Sequence, residues 1–262
     1  MLLTQSHVLL TGASRGIGQA IARDVARRGA RLTLVARSAG LLEHLASDLK
    51  GHALAADLAD PEQRRDLVAR AEQVAGPVDV LVNVAGVDAV GSTLVMDAES
   101  MAELFQVNLL APAELCRQVL PGMLHRGRGH LVNISSGFST ITSPGLSSYC
   151  ASKAGLSHYT AGLRSELRGT SVGTTLVELG PVRTAMYAGI QQDRLAGPAL
   201  ARLVRLRAAV EVDVDTVARQ VAEAVKSGRR HVVVPKRMVP VVSMTWLPRR
   251  AAELLLTGLP KR

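Results

Sequence analysis

The chain has 262 residues, of which 47% are hydrophobic, 20% charged and 2% aromatic. This content of apolar residues can bury one sizeable core, which excludes a disordered chain, and 23 glycines without a repeating period exclude a collagen-like one. Two cysteines cannot form a disulfide framework, and the first residues lack the features of a signal peptide. We therefore expect a cytoplasmic protein.

The net charge of +9 is concentrated at the C-terminal end. Residues 226–262 hold nine Lys and Arg residues against Glu253 alone, and the rest of the chain is almost neutral. Only this end is therefore expected to be drawn to an anionic surface. Few aromatic side chains are present to stack on bases, so we expect no nucleic-acid partner. No spacing of His or Cys suits zinc, so we expect no metal.

Short aliphatic runs alternate with helical stretches along the chain. Strands are predicted at 7–11, 31–36, 52–56, 78–82, 130–135, 172–178 and 231–234. Helices are predicted at 16–28, 40–50, 61–75, 99–126, 147–168 and 214–226. The strands lack apolar–polar alternation, as expected of strands that are buried on both faces. The pattern predicts an α/β fold, a doubly wound Rossmann-type parallel sheet with helices on both faces, in one domain (1–237) with a short C-terminal extension (238–262).

Local signals are predicted to delimit several of these helices. Asp60 precedes Pro61, which is typical of an N-cap followed by proline at the first helical position. Gly29 and Gly51 follow helical stretches, where C-terminal caps are expected.

A glycine-rich turn, TGASRGIG at 11–18, lies between the first strand and the first helix. Gly12 permits a tight turn, while Gly16 and Gly18 let the backbone approach a pyrophosphate and let the helix pack closely on the sheet. The helix N-terminus then offers free N–H groups to phosphates. At this position in the chain the turn predicts a dinucleotide-binding site.

The second strand ends in Ala36 and Arg37, where NAD-binding folds usually carry an acidic residue that bonds the ribose 2′-OH. Arg15 lies nearby in the glycine turn. Two guanidinium groups suit a 2′-phosphate, so the sequence favours NADP(H) over NAD(H), with two solvated surface arginines as the alternative. Asp57 ends the third strand, where it is placed either to bond the adenine amino group or to cap the next segment.

Tyr149 and Lys153 are four residues apart, which places both side chains on one face of a helix. A tyrosine pKa of about 10 is too high for a base near neutral pH, and an adjacent ammonium lowers it. Ser136, at the end of a strand, is placed to bond a substrate oxygen and polarise a carbonyl. Without further signals, a Tyr–Lys pair on a helix surface remains the alternative.

Five motifs together resemble the short-chain dehydrogenase/reductase family over roughly residues 5–235. They are TGASRGIG at 11–18, NVAG at 83–86, NISS at 133–136, YCASK at 149–153 and LGPVRT at 179–184. They are similar to the family's TGxxxGxG, NNAG, serine strand, YxASK and PGxVxT, in that order. Val84 and Leu179 depart from the family pattern, at positions that affect backbone conformation and not the chemistry.

The resemblance implies a role for each matching residue. Tyr149 is expected to be the general acid/base, Lys153 to lower its pKa and hold the nicotinamide ribose, and Ser136 to orient the substrate oxygen. Asn108 matches the family asparagine that anchors a water in the proton relay. The candidate cofactor-binding residues are Gly12, Ser14, Arg15, Gly16, Ile17, Gly18, Arg37, Asp57, Leu58, Asn83, Ala85, Gly86, Tyr149, Lys153, Val182 and Thr184.

The implied reaction is hydride transfer between a nicotinamide and a carbonyl or secondary alcohol. We expect reduction, because NADP pools are usually kept reduced in cells. We expect a hydrophobic ketone, because the positions that border the substrate cleft in similar enzymes are mostly apolar here. Those positions are Val87, Asp88, Gly137, Phe138, Leu146, Met186, Tyr187 and Ile190. Asp88 is placed either to select a polar group or to face water. The alternative function is a catalytically silent dinucleotide-binding sensor or scaffold.

Two further segments are predicted to serve the substrate or a partner. Residues 185–210 are expected to form a mobile lid. The extension, 238–262, combines an uncharged run with paired arginines, so it either makes peripheral contact with an anionic membrane, or packs on a subunit interface, or closes the substrate pocket. The resemblance implies a homodimer or homotetramer built through the helices at 99–126 and 147–168.

Overall fold

A seven-stranded parallel sheet forms the centre of the computed structural model, which describes residues 3–206, 209–240 and 242. The strands are β1 (His7–Thr11), β2 (Arg31–Ala36), β3 (His52–Ala55), β4 (Val80–Asn83), β5 (Gly129–Ser136), β6 (Val172–Leu179) and β7 (His231–Val234). Their order across the sheet is β3-β2-β1-β4-β5-β6-β7, and each adjacent pair is parallel. This arrangement confirms the predicted α/β Rossmann-type fold.

Helices connect the strands on both sides of the sheet. They are α1 (Gly16–Arg27), α2 (Ala39–Asp48), α3 (Pro61–Arg64), α4 (Leu67–Ala75), α5 (Ala98–Phe105), α6 (Ala111–His125), α7 (Ser147–Glu166), α8 (Ala185–Gln192), α9 (Ala196–Arg205) and α10 (Val214–Ser227). A π-helical segment, Gln106–Leu110, joins α5 to α6, and short 3₁₀ turns occupy Gly137–Ser139 and Lys236–Met238.

Each face of the sheet packs against its own set of helices. On one face Leu10 of β1 belongs to an apolar cluster with residues of α1, α2 and α10. On the other face Leu9 belongs to a cluster with residues of α4, α6 and α7. Both leucines are fully buried, which explains why the strand sequences are apolar at consecutive positions.

Two predicted helices are divided in the structure. The helix predicted at 61–75 is α3 and α4, and Arg64 at the end of α3 is buried, donating to the Leu58 carbonyl at 2.7 Å and pairing with Glu114 at 2.6 Å. The helix predicted at 99–126 is α5, the π-helical segment and α6. Its apolar periodicity did not indicate the π-helical segment, since an extra residue within a turn leaves little trace in the sequence.

The predicted helix ends are confirmed at two positions and wrong at one. Asp60 caps α3, because its carboxylate accepts from the Glu62 N–H at 2.9 Å, and Gly29 follows α1 with a φ of 81°. After α2 the left-handed residue is Lys50, with a φ of 52°, and not Gly51. Gly51 instead lies against β2, where an added Cβ would stand 3.0 Å from the Leu32 carbonyl oxygen.

Within the described ranges no helix is long and apolar enough to cross a bilayer. Most of the extension, residues 241 and 243–262, lies outside the residues that the structure describes, and so does its predicted membrane contact. Met238, at the start of the extension, is buried against Val233 and Val242.

Candidate active site

A cavity of about 880 Å³ opens at the carboxyl ends of the strands. Its wall is formed by the glycine turn, the ends of β2 and β3, the loops after β4, β5 and β6, and the helices α7, α8 and α9. This is the edge at which open parallel sheets bind ligands. Of the predicted catalytic and cofactor-binding residues, all line the cavity except Asn83 and Asn108.

The glycine turn has the backbone geometry of a phosphate cradle. Gly12 and Gly16 have φ values of 66° and 56°, backbone angles that residues other than glycine rarely adopt. A Cβ on Gly12 would stand 2.7 Å from the backbone of Ala85, and one on Gly18 would overlap the Gly12 carbonyl oxygen. The first turn of α1 has no side-chain cap, so its N–H groups are left for an anion. These residues fit a dinucleotide pyrophosphate.

Two arginines lie at the end of the cavity beside β2. Arg15 donates to the Ser38 hydroxyl at 3.2 Å. Arg37 donates to Glu103 on α5 at 2.9 Å and lies 3.9 Å from Asp57. Nothing in the sequence indicates the Glu103 contact, because it joins residues 66 positions apart. The guanidinium expected to meet a 2′-phosphate is therefore already paired with a carboxylate.

Three other candidate cofactor residues also make local backbone contacts. One oxygen of Asp57 accepts from the Ala59 N–H at 2.9 Å, so this side chain forms a local turn after β3. Thr184 is the N-cap of α8 and accepts from the Tyr187 N–H at 3.3 Å. Val182 is buried and forms an isolated parallel bridge with Val212. These contacts fix the shape of the cavity wall.

The loop after β4 keeps its position despite the departure at Val84. The Thr11 hydroxyl accepts from the N–H groups of Val84 at 3.1 Å and Ala85 at 3.2 Å. At Gly86 an added Cβ would stand 3.3 Å from the Asn108 amide oxygen and 3.4 Å from the Lys153 ammonium. Glycine therefore lets this loop pass close to Asn108 and to Lys153 on α7.

Asn83 lies behind the cavity wall. It is 2% exposed, and its amide donates to Asn133 on β5 at 2.8 Å and to the Pro112 carbonyl at 3.4 Å. These contacts tie β4 to β5 and α6. The side chain therefore supports the central strands and does not face the cofactor cavity.

Ser136, Tyr149 and Lys153 meet in the cavity, at the end of β5 and on α7. The Ser136 hydroxyl accepts from the Phe138 N–H at 3.2 Å, which fixes its direction. Lys153 donates to the Ile134 carbonyl at 3.2 Å, and its ammonium is 6.0 Å from the centre of the Tyr149 ring. All three side chains are buried.

Burial dominates the protonation of Tyr149 and Lys153. It raises the pKa of Tyr149 to about 12, against an opposing hydrogen bond from Ser136, and it lowers the pKa of Lys153 to about 8. Burial therefore sets the direction of the Tyr149 pKa, and the expected effect of the Lys153 ammonium on it stays a prediction. The structure instead holds Tyr149 as a neutral phenol, which suits a proton donor.

Asn108 lies in the π-helical segment and is fully buried. Its amide oxygen accepts from the Val87 N–H at 2.9 Å, and its NH₂ donates to the Val87 carbonyl at 2.9 Å and to Ser152 at 3.1 Å. The side chain thus holds the loop after β4 against α7. Its role in anchoring a relay water stays a prediction.

A buried carboxylate that sequence reasoning missed supports the catalytic residues from behind. Glu178 on β6 is 2% exposed and accepts from the hydroxyls of Ser139 and Ser157, the latter at 3.3 Å, and from the His231 ring at 2.6 Å. Ser157 is in turn 2.8 Å from Ser135, which donates to the Lys153 carbonyl. One acidic residue within an aliphatic strand was the only signal in the sequence.

The substrate end of the cavity is lined by seven of the eight predicted residues. The exception, Leu146, is fully buried in an apolar cluster with Tyr149. The predicted lid, 185–210, contains α8 and α9, and Tyr187 on α8 donates to Glu211 at 2.8 Å.

Within the described part of the chain, no group of three His, Cys, Asp or Glu side chains could hold a metal ion.

The glycine turn, the buried Ser–Tyr–Lys set and the parallel sheet together define a dinucleotide-dependent oxidoreductase. The profile of the short chain dehydrogenase family matches residues 6–195. The chain belongs to the short-chain dehydrogenase/reductase family, whose enzymes act on CH–OH and C=O groups with a nicotinamide dinucleotide.

Similar proteins include reductases from several bacteria. The chain is 37% identical over 265 residues to ketoacyl reductase HetN of Nostoc sp., covering 99% of this chain and 88% of the relative. It is 30% identical over 191 residues to 3-oxoacyl-[acyl-carrier-protein] reductase FabG of Escherichia coli, covering 72% and 78%.

Solved structures of similar fold contain either nicotinamide cofactor. A short-chain dehydrogenase from Sphingobium yanoikuyae in complex with NADPH has a TM-score of 0.81 at 26% identity, covering 98% of each chain. A short-chain dehydrogenase/reductase from Burkholderia phymatum in complex with NAD has a TM-score of 0.82 at 24% identity. The match covers 99% of this chain and 98% of that one, and at this identity it supports the fold alone.

Proposed function

We propose that the protein is an NADP(H)-dependent reductase of a hydrophobic ketone. The observation that carries the proposal is that Ser136, Tyr149 and Lys153 line the same cavity as the glycine turn. The preference for NADP(H) is supported by Arg15 in the glycine turn and Arg37 directly after β2, two guanidinium groups that suit a 2′-phosphate.

Ser136, Tyr149 and Lys153 each have a separate role in the proposed reduction. The bound nicotinamide supplies the hydride. The Ser136 hydroxyl orients the substrate oxygen, and the Tyr149 hydroxyl gives that oxygen its proton. Because burial raises its pKa to about 12, Tyr149 carries the proton throughout the neutral range. The Lys153 ammonium then favours the phenolate that remains.

The substrate class is supported by the apolar wall and by the relatives. Phe138, Met186 and Ile190 line the substrate end and belong to or pack on the apolar cluster that contains Tyr149. Two of the similar proteins carry the names ketoacyl and 3-oxoacyl reductase. We therefore place 3-oxoacyl thioesters first among the hydrophobic ketones to be tested.

The deciding experiment compares the wild type with Tyr149→Phe on a panel of hydrophobic ketones and 3-oxoacyl thioesters. Loss of the proton donor is expected to lower kcat by about 10²- to 10⁴-fold. The affinity for NADPH, measured by fluorescence titration, should stay unchanged, and NADH should support slower turnover. Near-wild-type turnover by Tyr149→Phe would refute the mechanism. NADPH binding without any turnover would favour the silent sensor.

We also propose a cytoplasmic homodimer or homotetramer. Leu110 and Leu124, at the two ends of α6, are 45% and 44% exposed, which suits a helix that packs on a second copy. Sedimentation velocity measures the number of subunits directly.

A further inference from the structure

Asp88 is the acidic residue at the substrate end of the cavity. It is half-buried, and its neighbours in the chain, Val87 and Ala89, pack on the apolar cluster that contains Tyr149 and residues of α8 and α9. Its backbone position is fixed, because Asn108 makes two hydrogen bonds to the adjoining Val87. A carboxylate is therefore held inside a mostly apolar compartment.

The Asp88 carboxylate lacks a partner among the described side chains. In the described part of the chain no other residue forms a hydrogen bond or ion pair with it, and burial raises its pKa. Three described cationic side chains line the cavity, and each donates a hydrogen bond elsewhere. Arg15 donates to Ser38, Arg37 to Glu103 and Lys153 to the Ile134 carbonyl. Partial burial of an unpaired carboxylate costs free energy, which a donor supplied by a ligand would offset.

We infer that Asp88 binds a hydroxyl or amino group of the substrate, which is then an apolar ketone carrying one hydrogen-bond donor away from the reacting carbonyl. This inference rests on the proposed function and adds the substrate class. A carboxylate at this place favours neutral or cationic donors and disfavours an anionic group in the same compartment.

The same charge acts on the catalytic tyrosine. Asp88 is among the groups that raise the pKa of Tyr149, after burial itself. A cationic donor on the substrate would offset the Asp88 charge and remove part of this effect, whereas a hydroxyl would leave the charge in place. Substrate recognition and proton transfer are therefore linked through one carboxylate.

The test uses methyl nonyl ketone and its derivatives with a hydroxyl or an amine at successive carbons of the nonyl chain. The readout is the ratio of kcat/KM between a derivative and the plain ketone, with NADPH. Three proteins are compared with the wild type: Asp88→Leu, Asp88→Asn and the control Glu166→Gln. Glu166 is exposed at the opposite end of α7, so its variant removes one negative charge far from the cavity.

The wild type and Glu166→Gln are expected to prefer a donor-bearing ketone. In Asp88→Leu the preference should fall by about ten- to a hundredfold, as for loss of a hydrogen bond to a charged group. Asp88→Asn keeps an acceptor oxygen without the charge, so it should retain most of the preference for a hydroxyl and lose that for an amine. An unchanged ratio in Asp88→Leu would overturn the inference.

A binding measurement keeps this result separate from the proposed function. The same ketones are titrated calorimetrically into NADPH-loaded Tyr149→Phe, with and without Asp88→Leu, and circular dichroism checks that each variant is folded. Tighter binding of a donor-bearing ketone only when Asp88 is present supports the inference even if no ketone is reduced. Equal binding with and without Asp88 overturns it, whatever the turnover on the plain ketone.

Discussion

The two ends of the cavity are built by different means. At the cofactor end the phosphate cradle is made of backbone, with Gly12 and Gly16 at positive φ and no side-chain cap on the N-terminus of α1. At the substrate end the wall consists of side chains from loops and helices far apart in the chain, such as Asp88, Phe138 and Met186. A backbone cradle tolerates little change, whereas a side-chain wall can be altered one position at a time.

The largest expected effect is at the cofactor end. In Gly18→Ala the new Cβ would overlap the Gly12 carbonyl oxygen, so the turn must shift and NADPH affinity should fall by more than about a hundredfold. Fluorescence titration measures the affinity, and thermal unfolding without NADPH separates loss of binding from loss of folding.

The matched control is Gly162→Ala on α7, where an added Cβ meets nothing within 4 Å. It should bind NADPH normally and gain up to about 1 kcal/mol in the free energy of unfolding, because alanine favours a helix. Wild-type NADPH affinity in Gly18→Ala would contradict the view that the backbone cradle at the cofactor end tolerates little change.

A medium effect, on the free energy of unfolding, is expected at Lys153, where the cofactor and substrate ends of the cavity meet. Burial lowers the pKa of this lysine from 10.5 to about 8, so between these pH values the unfolded chain binds more protons than the folded one. The resulting cost is full below about pH 8 and fades as pH rises to 10.5. Lys153→Met should therefore be more stable near pH 7 by about 2 kcal/mol, after allowing for the lost bond to Ile134.

Urea unfolding at several pH values measures the gain in the free energy of unfolding, which should shrink between about pH 8 and 10.5. The variant is expected to be inactive at every pH. If Lys153→Met were less stable than the wild type near pH 7, the ammonium would be better compensated than its surroundings indicate.

The smallest effect is expected at the pair of Arg37 with Glu103. Glu103→Gln should free the guanidinium for a 2′-phosphate and lower the Kd for NADPH about two- to fivefold, the range of an exposed ion pair. The Kd for NADH should not change. Glu99→Gln, an exposed position on the same helix, serves as the control for loss of charge. Equal effects on NADPH and NADH would show that Arg37 does not distinguish them.

The sequence predicted what adjacent residues encode. The glycine turn, the Asp60 cap and the Tyr149–Lys153 spacing each depend on positions within one or two turns, and the structure places them as expected. It could not predict the Glu103 contact to Arg37, which needs the tertiary fold. It also could not predict that burial raises the Tyr149 pKa, because desolvation depends on the packing of the whole cavity wall.

The Glu178 carboxylate has a consequence for how this sequence can change over time. It satisfies donors on three elements at once, from Ser139, Ser157 and His231. Replacing the carboxylate alone would remove the acceptor that these donors share, whereas replacing the whole set by apolar side chains need not be costly. These four positions should therefore co-vary in evolution, passing together between a polar and an apolar state.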